Sequence, residues 1–157
     1  METSLGTTML ADEAAVSLDA LLPHRKAVIA LAADLLAAKA GMSYEDARNA
    51  LTAREALGST AIGRGVALPH AISANCLRPA IGIIRLAEPV PFGGGMSADI
   101  VLAILWPFKE ATAFQRAASK ACRILRDPKT LNAIRRATSA SEVNQILKRL
   151  DLLAAER

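Results

Sequence analysis

The chain has 157 residues, of which 52% are hydrophobic and 3% aromatic, and a formal net charge of +4. That length suits one domain whose core needs no covalent staple, and a hydrophobic fraction dominated by alanine and leucine favours a helix-rich packed protein over an all-β one. Cys76 and Cys122 show neither a metal-ligand nor a disulfide spacing, so a reduced, cytoplasmic setting is expected.

Residues 1–16 carry Glu2, Asp12 and Glu13 and lack the basic and apolar regions of a secretory signal. They are expected to form a flexible tail before a single domain over 17–152, with a second tail over 153–157. A first helix is predicted from about Pro23 to Ala40, with Val28, Leu31 and Leu35 at helical spacing and Gly41 as its stop. Its apolar stretch is interrupted by Asp34 and is shorter than the roughly 20 residues that cross a bilayer, so no membrane insertion is expected. His24 stands at the start of this helix, where a solvated side chain is expected. Ser43 can cap a second helix that has Glu45 and Asp46 in its first turn. Ala47, Ala50, Leu51 and Leu57 carry that helix towards Gly58.

Beyond it lies Gly63-Arg64-Gly65-Val66-Ala67-Leu68-Pro69-His70-Ala71, a glycine-bracketed turn and a short apolar strand ending in one of the two histidines. A neutral imidazole, with an ordinary pKa of about 6.5, can attack phosphorus or carbon with one nitrogen while a hydrogen bond holds the other. Pro69 fixes its own φ and biases Leu68 towards extended geometry, which aims the ring. Gly63 and Gly65 permit close backbone approach, so their amides can meet an oxyanion or a phosphoryl group. A packed or solvent-facing histidine is the alternative. His70 and Cys76 alone do not make a zinc site.

Ala80 to Leu86 and Asp99 to Trp106 are short apolar runs bounded by Pro79, Pro89, Gly93-Gly94-Gly95 and Pro107, which predicts strands. The unbroken apolar run from Ile100 to Trp106 predicts burial on both faces in the middle of a sheet. After Pro107 the spacing is helical again. Phe114, Ala117, Ala121, Ile124 and Leu125 make one face, Asp127-Pro128 starts a short helix, and Ser139 with Glu142 reads as a capping box before Val143, Ile146, Leu147 and Leu150. Helices, a sheet and helices again imply an α/β sandwich.

Charge is unevenly spread: residues 108–157 hold 11 Lys/Arg against 5 Asp/Glu, whereas residues 1–107 hold 8 against 10. Arg116, Lys120 and Arg123 share a helix face, which reads as a solvated stripe, and no aromatic follows Phe114 to stack on bases. Nucleic acid is therefore not expected as a partner.

The run from Arg54 to Ala71 is similar to the phosphorylation-site signature of the type 2 IIA proteins (fructose, mannitol and nitrogen-regulatory) of the bacterial phosphotransferase system. Glu55, the Ile62-Gly63 pair and Val66-Ala67-Leu68-Pro69-His70 carry the likeness. It continues through Arg78-Pro79, Ala80 to Leu86, Pro89 to Phe92, Asp99 to Pro107 and Ser139 to Leu150. The resemblance implies a three-layer sandwich, a mixed β-sheet with helices on both faces, as in the mannitol-type IIA fold. It further implies a stand-alone nitrogen-regulatory protein, with no metal and no nucleotide or organic cofactor, whose His70 takes a phosphoryl group from an HPr-like phosphocarrier and which signals through regulatory target proteins. Arg54 falls where the family carries an arginine near its phosphohistidine, and a guanidinium there can bind phosphoryl oxygens as a fork. It equally suits a helix C-terminus. Ser59 and Thr60 can bind the phosphoryl group or simply form a helix-to-strand turn. Arg64 occupies a position that the family fills variably and is not assigned a role.

Two departures stand out. The family's second histidine, in the helix after Pro107, falls on Phe114, which has no hydrogen-bonding group, and the Gly93-Gly94-Gly95-Met96 loop is shorter than the family's Asp-containing one. Two readings follow: a phosphoryl-accepting regulator, or a non-catalytic binding regulator that kept the fold and lost efficient transfer.

Overall fold

The computed structural model describes residues 13–150. In chain order it comprises β1 (Ala15–Ala20), α1 (Arg25–Ala40), α2 (Tyr44–Ala56), β2 (Ala61–Gly63), β3 (Val66–Ala67), β4 (His70–Ser73), β5 (Ala80–Pro91), β6 (Ser97–Pro107), α3 (Ala111–Ile124), α4 (Pro128–Arg136) and α5 (Ala140–Arg149). A 3₁₀ turn at Phe108–Glu110 leads into α3. The strands form one mixed sheet in the order β1-β5-β6-β3-β2, with β4 also paired to β6. β5 and β6 run antiparallel, whereas β1 is parallel to β5, and β3 and β4 are parallel to β6.

The apolar run Ile100 to Trp106 lies in β6 at the centre of this sheet, each residue at most 1% exposed. Alternation along the strand divides the core in two. Ile100, Leu102, Ile104 and Trp106 pack with Phe114, Ala117, Leu131, Ile134, Val143 and Leu147 of α3, α4 and α5. Val101, Ala103 and Leu105 pack with Val28, Ala32, Leu36 and Leu51 of α1 and α2. The result is the three-layer arrangement with helices on both faces.

Helix ends follow local chemistry. The His24 ring accepts a bond from the Ala27 amide at the start of α1, and Gly41 ends that helix with φ 72°. Ser43 accepts from Asp46 N–H, and Asp127 from Thr130 N–H with Pro128 in the first turn. At α5 the Ser139 hydroxyl accepts from Glu142 N–H, but the Glu142 carboxylate returns to Thr138 N–H instead of the capping residue's own amide.

Several expectations change. α1 begins at Arg25, two residues later than Pro23. Leu57 does not extend the apolar face of α2; it lies past the helix end and is 84% exposed. β1 reaches into the segment read as a tail: Ala15 and Val16 pair with Gly82 and Ile83, and Ala14 N–H donates to the buried Asn144 Oδ1 at 2.7 Å. The rest of both expected tails, residues 1–12 and 151–157, lies outside the described residues. β5 does not stop at Pro89. A register shift between Arg85 and Val90 releases the ladder there, so a proline without an N–H is accommodated.

The site strand also differs. His70 does not terminate the strand of Val66. Val66 lies opposite Ile100 and His70 opposite Ile104, so the register on β6 is unchanged across Leu68-Pro69. The Pro69 carbonyl accepts from Ile104 N–H, and Leu68 N–H turns aside to Thr60 O.

Candidate functional site

Because the register carries through, His70 points to the same side of the sheet as Leu68 and Ile104, towards α3. There the Phe114 ring stands 5.3 Å from the imidazole, centroid to centroid and tilted by 31°, and is itself braced edge-on by Trp106. This is the helix position where the resemblance expects a second histidine.

The hydrogen bonds of His70 settle its tautomer. Nδ1 lies 2.9 Å from the Leu68 carbonyl oxygen, which can only accept, so Nδ1 carries the proton. Nε2 then holds the lone pair, and Arg54 Nε donates to it at 3.2 Å. Burial holds the His70 pKa below its usual value of 6.5. The Leu68 carbonyl works against that shift, the Arg54 charge adds to it, and the Glu55 charge opposes it. The ring is thus neutral at pH 7.

Arg54, in the last turn of α2, also donates from Nη1 to Gly58 O at 3.0 Å. It caps its own helix, as one sequence-based reading has it, and faces His70 at once. The two side chains meet in a cavity of about 510 Å³ between the α2–β2 connection and α3. Ser59, Thr60, Ala61 and Ile62 line one wall, and Gln115, Ala118, Ser119, Cys122 and Arg123 line the other.

Ser59 and Thr60 share the cavity with His70, but their hydroxyls are already engaged. Thr60 gives both its N–H and its Oγ1–H to the buried Glu55 carboxylate, at 3.0 and 2.7 Å. Ser59 Oγ donates to Phe92 O at 2.7 Å and accepts from Ala61 N–H. Arg25 completes this support, reaching Glu55 at 3.5 Å and Phe92 O at 2.8 Å. Glu55 belongs to the sequence signature and is seen here to hold the connection beside Arg54 in place. Arg25 has no local signal, since its partner Phe92 is far along the chain.

Gly63 and Gly65 do not line the cavity, contrary to expectation. They flank Arg64 in the β2–β3 hairpin, where Arg64 and Gly65 adopt φ 59° and 80°, the pair of positive values that a two-residue type I′ turn requires. The Gly65 carbonyl accepts from Asp99 and Ile100 N–H. Arg135 closes the back of this turn, bonding both Asp99 carboxylate oxygens at 2.9 and 2.7 Å and the Arg64 carbonyl at 3.0 Å.

A neutral imidazole that presents a lone pair beside a guanidinium in an open cavity has the makings of a nucleophile for phosphorus. Among the described residues, no group of three or more His, Cys, Asp or Glu side chains is placed to hold a metal ion, and no helix is long and apolar enough to cross a membrane.

Known proteins resemble this chain in sequence and fold. Residues 9–150 match the family described as "Phosphoenolpyruvate-dependent sugar phosphotransferase system, EIIA 2". The nitrogen regulatory protein of Klebsiella oxytoca is 28% identical over 127 residues, spanning 78% of each chain. The crystal structure of nitrogen regulatory protein IIA-Ntr from Neisseria meningitidis superimposes with a TM-score of 0.80 at 30% identity, over 85% of this chain and 92% of that one. The fold is also that of the Escherichia coli mannitol IIA enzyme in its complex with phosphorylated mannitol IIB (TM-score 0.72, 20% identity, 86% and 94% covered). With the fold, the signature and the match in agreement, this chain belongs to the EIIA 2 family of the phosphoenolpyruvate-dependent sugar phosphotransferase system, alongside these nitrogen regulatory proteins.

Proposed function

We propose that His70 is the phosphoryl acceptor of a cytoplasmic regulatory IIA protein and receives its phosphoryl group from an HPr-like phosphocarrier. The observation that carries this reading is the fixed tautomer: Leu68 O holds Nδ1–H, which leaves the Nε2 lone pair facing the cavity and Arg54. Nε2 forms a bond to phosphorus as the P–N bond to the carrier's imidazole breaks, and the carrier's nitrogen leaves with that electron pair. The His70 proton stays on Nδ1, where the Leu68 carbonyl stabilises the positive charge that the ring acquires. Arg54 Nε turns from Nε2 to a phosphoryl oxygen while Nη1 keeps its bond to Gly58 O. Ser59 and Thr60 contribute by shaping the wall. Each would have to give up a bond to Phe92 O or Glu55 before donating to the phosphoryl group.

Phosphorylation adds nearly two negative charges beside α3 and so changes which regulatory proteins that surface accepts. One observation favours a second reading. Phe114 packs on His70 where the resemblance expects an imidazole, which suits a binding regulator that transfers poorly. The test is incubation with phosphoenolpyruvate, the general phosphotransferase enzyme and the HPr-like carrier, followed by intact-mass measurement. The parent gains one acid-labile phosphoryl group and His70→Ala none. A folded parent that stays unmodified leaves only the binding regulator, and label on His70→Ala refutes the assignment of the residue.

A further inference from the structure

Arg54 keeps its aim on His70 only if the connection after α2 is held still. Its Nη1 is anchored on Gly58 O, and Gly58 is exposed and has no side chain, so its neighbours set its position. On one side, the Glu55 carboxylate takes the N–H and the hydroxyl of Thr60, which closes the connection on itself. On the other, the Ser59 hydroxyl donates to Phe92 O at 2.7 Å, just past the end of β5. One nitrogen joins the two sides: Arg25 Nη1 donates to Phe92 O at 2.8 Å and lies 3.5 Å from Glu55 Oε2. The guanidinium carbon also stands 6.0 Å from the centre of the Phe92 ring, within reach of a cation–π contact. Gly93 makes room for this junction, since a Cβ there would come within 2.7 Å of Arg25 Nη1 and 3.4 Å of Ser59 Cβ. Arg25 itself does not touch the reacting atoms. It lies outside the His70 cavity and lines a separate hollow of about 200 Å³ with Lys26, Thr52 and Glu55. Its side chain is 39% exposed, so water can replace its bonds when it is removed, but water does not fix the distance between Glu55 and Phe92.

We propose that Arg25 is a positioning residue for phosphoryl transfer: from the start of α1 it ties Glu55 to Phe92 and thereby sets the Arg54 guanidinium against His70. This rests on His70 being the acceptor. During transfer Arg54 Nε passes from Nε2 to a phosphoryl oxygen while Nη1 stays on Gly58 O. Without Arg25 that carbonyl is free to drift, and the fork no longer meets the phosphoryl oxygens in line.

The experiment measures single-turnover transfer from the phosphorylated HPr-like carrier over a range of carrier concentrations. Arg25→Ala lowers the rate at saturating carrier roughly 10- to 100-fold, as a small misplacement of a catalytic group does, and leaves the half-saturating concentration within about threefold. Arg25→Lys, which keeps the charge, recovers part of that rate. Lys26→Ala, one residue along and exposed, follows the parent. A double-mutant cycle decides whether Arg25 works through Arg54. Once Arg54 is glutamine, Arg25→Ala costs no more than about threefold. A loss as large as that in the parent overturns the proposal, as does a folded Arg25→Ala protein that transfers like the parent. Should Arg25→Ala fold poorly, Arg25→Gln, checked by circular dichroism, takes its place in the cycle. If His70 of the parent accepts no phosphoryl group at any carrier concentration, the acceptor reading fails instead. Positioning is then read separately, by NMR of the Arg54 Nε–H proton, which is held on His70 Nε2. Exchange of that proton with water at least about fivefold faster in Arg25→Ala supports the role of Arg25, and an unchanged rate refutes it.

Discussion

Replacing Arg54 by glutamine sets two effects against each other. Nε2 of His70 loses the donor that occupies its lone pair at 3.2 Å, and the positive charge that helps to lower its pKa disappears; both changes make the ring a better base. Against this, the transferring phosphoryl group loses its cation. With Nη1 committed to Gly58 O, Nε and Nη2 remain to reach phosphoryl oxygens, and hydrogen bonds to charged groups contribute about 1.5–3 kcal/mol each. Losing one or two of them raises the barrier by about 1.5–6 kcal/mol, which corresponds to roughly 10- to 20,000-fold in rate. The electrostatic loss wins. Stability changes little, because the bond to Gly58 O is solvent-exposed and contributes about 1 kcal/mol at most. The assay is single-turnover transfer from phosphorylated carrier, quenched and resolved by mass, beside a thermal melt. Arg54→Lys keeps the charge without the fork and falls between parent and Arg54→Gln. A folded Arg54→Gln protein that transfers within about threefold of the parent refutes the role assigned to the guanidinium.

Phe114→His buries an imidazole where a phenyl ring is 6% exposed between His70 and Trp106, so stability, read from a thermal melt, falls by about 1–3 kcal/mol while transfer accelerates through the added hydrogen bond. No acceleration in a folded variant would show that a second imidazole is dispensable here. Because burial holds the His70 pKa below 6.5, the acceptor stays neutral as pH falls through 6.5, and the transfer rate declines only at lower pH. The same shift links to stability: the contribution of His70 is complete above pH 6.5 and is lost progressively as pH falls through the folded pKa. An NMR titration of His70 with a midpoint at or above 6.5 contradicts both statements. Gly65→Ala forces a side chain onto φ 80° and sets its Cβ 2.6 Å from Arg135 Nη2 and 2.7 Å from Asp99 Oδ1. It therefore lowers stability by about 1–3 kcal/mol, and an unchanged melting curve rejects the strained turn.

The parts of this fold legible in sequence are those whose cause is local. The Ile100 to Trp106 run carries its own evidence of double-sided burial, and Ser43, Asp127 and Ser139 cap helices through bonds three residues away. β1 was not legible, since most of its residues are only half-buried and its pairing depends on β5, far along the chain. Glycines flanking Arg64 reveal a need for positive φ, but the purpose of that conformation, a hairpin turn closed by Arg135, depends on Asp99 and α4. The pattern around them in sequence marks His70 and Arg54 as candidates. Their meeting, and the Glu55, Arg25 and Phe92 support behind it, required the fold.

The measurement that bears most directly on the central claim is long-range ¹H–¹⁵N correlation NMR of the protein after phosphorylation. One phosphohistidine is expected, at His70, with phosphorus on Nε2 and the proton retained on Nδ1 facing the Leu68 carbonyl. Phosphorus on Nδ1, or on any residue other than His70, contradicts it.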